Sequence, residues 1–228
     1  MGLRQSIIKL VLLGLAGCFL ACSERVTNGQ DLPPPPTVHK KSVSFEQQLE
    51  TFKKLGFTLN PTISVADVDR WGEKKEFDTP PFMMLYITLG QTIEREPWTP
   101  LTDRVWDFDM EAIEDHGAYV DIMKNLERIT RGELKFSSLK DYVDLENKKA
   151  WVSFSVRGKA YKWNLKVDND WADTQLFTNV VELTKILKTK GRFTYFDTGG
   201  QDAVIGFETP ESRDAIVNAT GLKIEWLN

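Results

Sequence analysis

Two stretches of alternating apolar and polar residues, separated by a glycine, constrain the fold of this chain most strongly. Apolar residues alternate with serines over residues 152–156, and the alternation resumes over 161–167, after Arg157-Gly158. Because successive side chains of a strand point to opposite faces, the two stretches predict an antiparallel hairpin joined at the glycine. The polar residues of the second stretch lie on one face, which indicates that this face contacts water. These residues are Lys162, Asn164 and Lys166.

Signals for helices precede and follow this hairpin. Ser44 and Gln47 have the spacing of a capping box, and apolar residues at helical spacing follow them. The same spacing predicts helices within residues 119–129 and 176–187, and Thr209-Pro210 has the residues preferred at the start of another helix. A second hairpin is predicted across Thr198-Gly199-Gly200. Antiparallel hairpins with inserted helices indicate an α+β fold, either as a single compact domain or as two small packed lobes.

Three further segments have weaker patterns. Residues 82–89 form a continuous apolar run between a proline pair and Gly90, and this length and these boundaries favour a buried strand over a helix. We predict a short helix over residues 64–71 and a last strand over 222–227.

The N-terminus has the order of a secretory signal. Arg4 and Lys9 are followed by an apolar run over residues 10–15 and by the sequence Leu15-Ala16-Gly17-Cys18. This sequence resembles the lipobox of bacterial lipoproteins, and the resemblance implies that diacylglycerol is attached to the thiol of Cys18. Cys22 is the alternative, since its lipobox is poorer but polar residues follow it directly. Counted from Leu10 to Cys22, the whole apolar stretch covers about 13 residues, fewer than the roughly 20 that a membrane-spanning helix needs.

The domain organisation follows from these features. We predict a signal peptide over residues 1–17, a lipid-anchored cysteine with a proline-rich linker over 18–43, and an α+β domain over 44–228, with lobes of 44–132 and 133–228 if it is divided. Phe19 or Ser23 would follow the anchor, and neither is the aspartate that retains enterobacterial lipoproteins in the inner membrane. The resemblance therefore implies a location in the cell envelope, with the outer membrane favoured over the inner membrane.

Charge restricts the partners that the chain can have. The net charge is −4, and loss of Arg4 and Lys9 with the leader lowers it to about −6. Nucleic acids bind basic surfaces, so we do not expect a nucleic-acid partner. We expect a membrane partner through the anchor and a protein partner for the domain. No cofactor is expected apart from the covalent lipid.

An acidic stretch provides the candidate catalytic residues. Carboxylates that converge with an imidazole can act as acid and base or bind a divalent cation. Two ordinary structural roles compete with this hypothesis, because Asp115 is positioned to cap a helix that begins near Gly117 and Glu114 would lie beside the same helix end. With two histidines in the chain and no His/Cys spacing motif, no metal site is predicted. The candidate residues are Asp107, Asp109, Glu111, Asp115 and His116.

Two other motifs have a catalytic or metal-binding appearance. Asp197-Thr198-Gly199 resembles the active-site triplet of aspartic proteases, but a second copy is missing from the sequence, and a hairpin loop accounts for the same residues. Residues 168–173 resemble the beginning of a calcium loop, but they lack the glycine that an EF-hand needs at its sixth position. Asp173 is instead expected to cap the helix that follows.

The hypotheses for function follow from the anchor, the charge and the aromatic residues. Among seven tryptophans, Trp98 and Trp106 have proline and acidic neighbours and are expected to be exposed in a binding surface. The leading hypothesis is a membrane-anchored envelope lipoprotein that binds a protein, for example an immunity-type or envelope-protective lipoprotein that neutralises a basic effector. The alternative is an envelope hydrolase that uses the acidic cluster from Asp107 to His116, with or without a metal ion.

Overall fold

A four-stranded antiparallel sheet separates two apolar layers in the computed structural model, which describes residues 42–69, 74–78 and 80–228. The described residues form a 3₁₀ helix (Lys74–Phe77), six α-helices and seven strands. The helices are α1 (Phe45–Lys54), α2 (Val65–Val68), α3 (Met83–Leu89), α4 (Ala118–Ile129), α5 (Thr174–Leu187) and α6 (Pro210–Thr220). The strands are β1 (Val105–Asp109), β2 (Ser137–Asp144), β3 (Lys149–Val156), β4 (Lys159–Leu165), β5 (Arg192–Asp197), β6 (Asp202–Glu208) and β7 (Glu225–Trp226). The predicted α+β class is confirmed.

Side chains of the four-stranded sheet alternate between the two layers. The strand order is β1-β6-β5-β7, and all neighbours are antiparallel. On β6, Ala203, Ile205 and Phe207 face the layer that contains α4, α5 and the second sheet, whereas Val204 faces the layer that contains α1, α3 and α6. Because both faces are covered, this sheet is the centre of the described domain.

The second sheet has three strands in the order β2-β3-β4. Its register pairs Val152 with Trp163 and Phe154 with Tyr161. The alternating serines of β3 leave Val152, Phe154 and Val156 buried in the core. The hairpin predicted from the alternating pattern is therefore confirmed as β3 and β4.

Most of the predicted helices and the second hairpin are also confirmed. Ser44 and Gln47 form the capping box of α1, and α4 and α5 cover the predicted apolar stripes. Thr209 caps α6, with Pro210 in its first turn. The second hairpin is formed by β5 and β6. The predicted signal peptide, Cys18, Cys22, nearly all of the predicted linker and Trp71 lie outside the described residues.

The strand predicted over residues 82–89 is wrong, because this segment is the helix α3. Leu85, Tyr86 and Leu89 are buried and the remaining apolar side chains pack against the same cluster, so the helix is apolar nearly all round and shows no helical period. Its start is fixed by the buried side chain of Gln48, whose Oε1 accepts a hydrogen bond from Phe82 N at 2.7 Å.

Two further boundaries differ from the sequence prediction. The short helix predicted over residues 64–71 extends over Val65–Val68, with Ser64 as its N-cap residue and Asp69 as its C-cap residue. The last strand comprises two residues, Glu225–Trp226, because the chain pairs with β5 only there. No helix among the described residues has the length and apolar character needed to span a bilayer.

A buried ion pair connects α6 and the loop before β1 to the central sheet. Glu208 is 2% exposed. Its carboxylate accepts bonds from Arg104 Nε at 2.8 Å, Arg104 Nη2 at 2.7 Å and Ser212 Oγ at 2.6 Å. Paired Arg–carboxylate bonds of this kind fix both partners in one orientation, so this pair sets the position of α6 on the sheet.

Candidate functional site

A cleft of about 770 Å³ opens beside β1. Its walls come from α2, from the loop after α3 and from β1, which contribute Asp67, residues 91–95 and Asp107. Gly90 allows the loop to approach the strand: its carbonyl accepts a bond from Asp107 N at 2.9 Å, and a Cβ at this position would lie 2.5 Å from that nitrogen. A side chain at residue 90 would therefore displace the loop that forms the cleft.

Asp107 contributes a partly buried carboxylate to the cleft. Its Oδ2 accepts a bond from Gln91 Nε2 at 3.1 Å, whereas its Oδ1 is buried and has no hydrogen-bond partner within the part of the chain that the structure describes. Burial raises the pKa of Asp107, and the nearby Asp202 and Asp109 raise this pKa further. A carboxyl group with a raised pKa in a cleft is a feature of binding and catalytic sites.

The loop over residues 93–99 begins with three residues that line the cleft, Ile93, Glu94 and Arg95, and carries Trp98 near its other end. Two backbone bonds close the loop, from Ile93 N to Thr99 O at 3.0 Å and from Trp98 N to Arg95 O at 2.7 Å. Trp98 has a left-handed φ of 57° and is 55% exposed, and its indole Nε1 donates to Glu96 Oε1 at 3.2 Å. A bulky residue in this conformation costs free energy, and such residues cluster at functional sites.

An ion pair joins the loop to α2. The carboxylate of Asp67 accepts bonds from Ser64 N at 2.8 Å, Ser64 Oγ at 2.7 Å and Arg95 Nη1 at 3.0 Å. These bonds, the backbone bond from Ser64 first, lower the pKa of Asp67 to about 2. Asp67 therefore stays charged at neutral pH and holds the two walls of the cleft together.

The remaining residues of the predicted acidic cluster lie in two other places. Asp109 and Glu111 are exposed and meet at Gln201, whose Nε2 lies 3.0 Å from Asp109 Oδ1 and 3.2 Å from Glu111 Oε2. Asp115 and His116 form a separate exposed pair, in which Asp115 Oδ1 lies 2.7 Å from His116 Nδ1. Asp107 is thus the only one of the five candidates that lines the cleft, among the described residues.

The expectation that Asp115 caps α4 is wrong. Gly117 is the N-cap residue, and Asp141 on β2 supplies the carboxylate, which accepts bonds from Gly117 N at 2.8 Å and from Val120 N at 3.1 Å. Asp115 instead accepts a bond from His116 N at 2.6 Å. A capping group from a distant strand has no local sequence signal, so the nearer carboxylate was the wrong candidate.

The expected exposure of Trp106 is also wrong. Trp106 is 9% exposed, and its ring packs against Phe108 with the ring centroids 4.5 Å apart. Both residues lie on β1 and face the layer that contains α4 and α5, because positions two apart on a strand share a face. Trp98 alone keeps the predicted exposure of this pair.

Local bonds account for the other two motifs. Asp197 Oδ1 accepts a bond from Gly199 N at 2.8 Å, and Thr198 Oγ1 donates to Asp202 O at 2.7 Å, so these residues shape the β5–β6 turn. Asp173 caps α5 by accepting a bond from Gln175 N at 3.0 Å, as predicted. In residues 42–69, 74–78 and 80–228, no three His, Cys, Asp or Glu side chains are arranged to hold a metal ion.

Sequence reasoning missed three residues that build the cleft, namely Asp67, Gln91 and Arg95. The mostly polar run from Gln91 to Pro97, which precedes the predicted Trp98, could have indicated Gln91 and Arg95, whereas Asp67 has no such signal. The chain matches no known family model, and neither a curated protein nor a solved structure is detectably similar to it. The site therefore defines the molecule only as an α+β protein with an acidic cleft.

Proposed function

We propose that this chain is a lipid-anchored bacterial envelope protein whose cleft and Trp98 bind a protein partner. The anchor is Cys18, with Cys22 as the alternative, and the outer membrane is the favoured location. The observation that carries the proposal is the exposed Trp98 on the 93–99 loop, the same loop that contributes Ile93, Glu94 and Arg95 to the cleft. An immunity-type protein that neutralises an effector is the specific version of this function.

The position of Trp98 supports a role as an interface anchor. Tryptophan is enriched among the residues that contribute most to protein–protein binding, because its large ring fills a pocket in the partner. The bonds that close the 93–99 loop hold the ring in place before binding. A preordered anchor loses little conformational entropy when the partner arrives.

The charge of the cleft supports a basic partner. Asp67, Glu94 and Asp107 are acidic, and Arg95 is the one basic residue among the described residues that line the cleft. Complementary charge accelerates encounter and excludes acidic proteins. A basic loop or helix end in the partner would therefore suit this cleft.

The anchor is tested by fractionation of the full-length chain. We expect the Cys18→Ser/Cys22→Ser double variant to leave the membrane fraction, and the two single variants to identify which thiol carries the lipid. If the double variant still sediments with membranes, the anchor proposal fails.

The binding function is tested with two tryptophan variants of the full-length chain. Trp171 is also exposed, at 40%, and lies far from the 93–99 loop in the sequence, so Trp171→Ala is the matched control for Trp98→Ala. We expect a partner captured from solubilised envelopes to be retained by the wild type and by Trp171→Ala but lost from Trp98→Ala, and its retention to weaken with salt. Equal capture by both variants, or capture that ignores ionic strength, would contradict the proposal.

The raised pKa of Asp107 favours a second candidate function, an envelope hydrolase in which Asp107 transfers a proton. Turnover of peptide, ester and glycan substrates by the wild type, with at least a hundredfold loss in Asp107→Asn, is the expected result; general acid–base catalysis contributes about 10²–10⁴-fold. Absence of turnover, or turnover that Asp107→Asn retains, would remove this candidate.

A further inference from the structure

Basic residues are concentrated in the three-stranded sheet. Residues 137–166 contain seven lysines and arginines but three acidic residues, although the whole chain has a net charge of −4. One of these three acids, Asp141, turns inward and caps α4. The sheet is therefore a cationic region in an acidic protein.

The solvent-facing side of this sheet carries aromatic, lysine and neutral polar side chains. Val143 and Val152 point into the core, so the residues of the other parity point outward. The outward set contains no valine, leucine or isoleucine. We call the following residues the lysine–aromatic face: Lys140, Tyr142, Trp151, Ser153, Ser155, Lys162 and Asn164.

Ring contacts hold the centre of the lysine–aromatic face in place. Tyr142 and Trp151 are paired across β2 and β3, with ring centroids 6.1 Å apart and planes within 10° of parallel. Lys162 Nζ lies 4.2 Å from the centre of the Trp151 ring. A cation over a ring face is attracted by the ring, so the ammonium of Lys162 occupies a defined place although its side chain is exposed.

The positive charge of the face is not neutralised within the described residues. Lys140 and Lys162 have no carboxylate within 4.0 Å there. Asp144 lies at the end of the face, and its carboxylate already accepts bonds from Tyr142 Oη at 3.1 Å and Asn147 N at 2.8 Å. The two lysines are therefore available to an external anion.

We propose that the lysine–aromatic face binds an anionic polysaccharide. Lys140 and Lys162 would contact its carboxylate or phosphate groups, while Ser153, Ser155 and Asn164 would bond its hydroxyl groups. The mixture of ammonium groups and short neutral polar side chains on a sheet face suits a polysaccharide that carries both anionic groups and hydroxyl groups. A membrane surface suits it less, because insertion among lipids needs outward apolar side chains, and an acidic peptide would add to a strand edge rather than lie on the face.

The proposal is tested with the full-length chain carrying Cys18→Ser and Cys22→Ser, so that no lipid confuses the binding. The probe is polygalacturonate, with dextran as the neutral glycan, polyglutamate as the acidic peptide and phosphatidylglycerol vesicles as the anionic membrane. We expect binding of polygalacturonate alone. This binding should weaken when ionic strength rises from about 0.1 M to about 1 M, because the screening length falls from about 10 Å to about 3 Å.

Charge-matched variants separate the lysine–aromatic face from the overall charge. Lys140→Gln/Lys162→Gln should weaken binding at least about tenfold, because two charge-assisted hydrogen bonds are lost. Lys53→Gln/Lys223→Gln removes two exposed lysines elsewhere and should leave binding within about twofold, as expected for a salt-screened long-range effect. Thermal unfolding of both variants checks that the fold is intact. Equal weakening in the two variants, no binding of polygalacturonate, or equal binding of polyglutamate or vesicles would overturn the proposal.

Discussion

Asp107 and Glu208 are carboxylates on neighbouring strands of the central sheet, and their surroundings differ. Glu208 is buried and both of its oxygens are bonded, by Arg104 and Ser212. Asp107 is partly exposed, and one of its oxygens has no partner among the described residues. Burial of a charge is tolerated when the charge is fully bonded and is costly otherwise. The difference indicates that Glu208 holds the fold together, whereas Asp107 is kept at some cost in the wall of a cleft.

The largest expected effect on stability comes from replacing Arg104, which forms two hydrogen bonds with the carboxylate of Glu208. Arg104→Met should lower the free energy of unfolding by up to about 3–5 kcal/mol, because the buried Glu208 would keep only the Ser212 bond and the more distant Arg131, whose Nη2 lies 3.9 Å from Glu208 Oε2. Urea denaturation followed by circular dichroism measures this loss. The double variant Arg104→Met/Glu208→Gln is the control and should recover part of the stability. A loss below about 1 kcal/mol would mean that water replaces the arginine.

A smaller loss is expected at Ser212, which supplies one hydrogen bond to the same carboxylate. Ser212→Ala should lower the free energy of unfolding by about 1.5–3 kcal/mol, the range for a bond to a charged group. Thr178→Ala, an exposed position on α5, is the matched control and should change stability by less than about 0.5 kcal/mol. Equal effects of the two substitutions in urea denaturation would show that the Ser212 bond contributes no stability.

Asp107→Asn should raise the free energy of unfolding, in contrast to the two substitutions above, and the size of this gain should depend on pH. The folded pKa of Asp107 is raised above the ordinary 3.8, so between these two values the folded state binds more protons than the unfolded state. Linkage then requires the free energy of unfolding of the wild type to fall as pH rises through this window. Asp107→Asn lacks this fall, so its stability relative to the wild type should increase with pH and level off above the window.

The gain in Asp107→Asn should stay below about 1 kcal/mol, because the side chain is partly exposed and the full penalty for an unsatisfied buried group is about 1–3 kcal/mol. Urea denaturation of both proteins at a series of pH values measures the difference. A difference that is constant with pH would contradict the raised pKa.

The smallest expected effect is at Asp109, which contributes to the raised pKa of Asp107 through its negative charge. Asp109→Asn should lower the pKa of Asp107 slightly, as followed by the carboxyl carbon chemical shift in an NMR titration, while stability changes by less than about 0.5 kcal/mol. Asp121→Asn, an exposed acid on α4, should leave this titration unchanged. An unchanged pKa in Asp109→Asn would assign the whole shift to burial and Asp202.

Prediction from the sequence succeeds for some parts of this molecule and fails for others. Elements with a clear period or cap were predictable, such as the β3–β4 hairpin and α6, because these signals lie within a few neighbouring residues. The helix α3 was not predictable, because it is apolar nearly all round and its sequence therefore shows no helical period. Of the residues singled out from the sequence, only Asp107 lines the cleft. Its other parts depend on long-range contacts, such as the approach of Gly90 to β1 and the capping of α4 by Asp141, which no local pattern encodes.

The order of strands in the central sheet has a consequence for how the molecule folds. Val105 pairs with Gly206, so β1 must wait for about a hundred further residues before its partner β6 is available. Contacts between residues so distant in sequence slow folding and prolong the exposure of apolar segments. The β2–β3–β4 meander, by contrast, joins strands that follow one another directly, and we expect it to form first. When the chain emerges from its N-terminus, the central sheet therefore stays incomplete until β6, Asp202–Glu208, has emerged near the very end, and β1 has no strand partner during that interval.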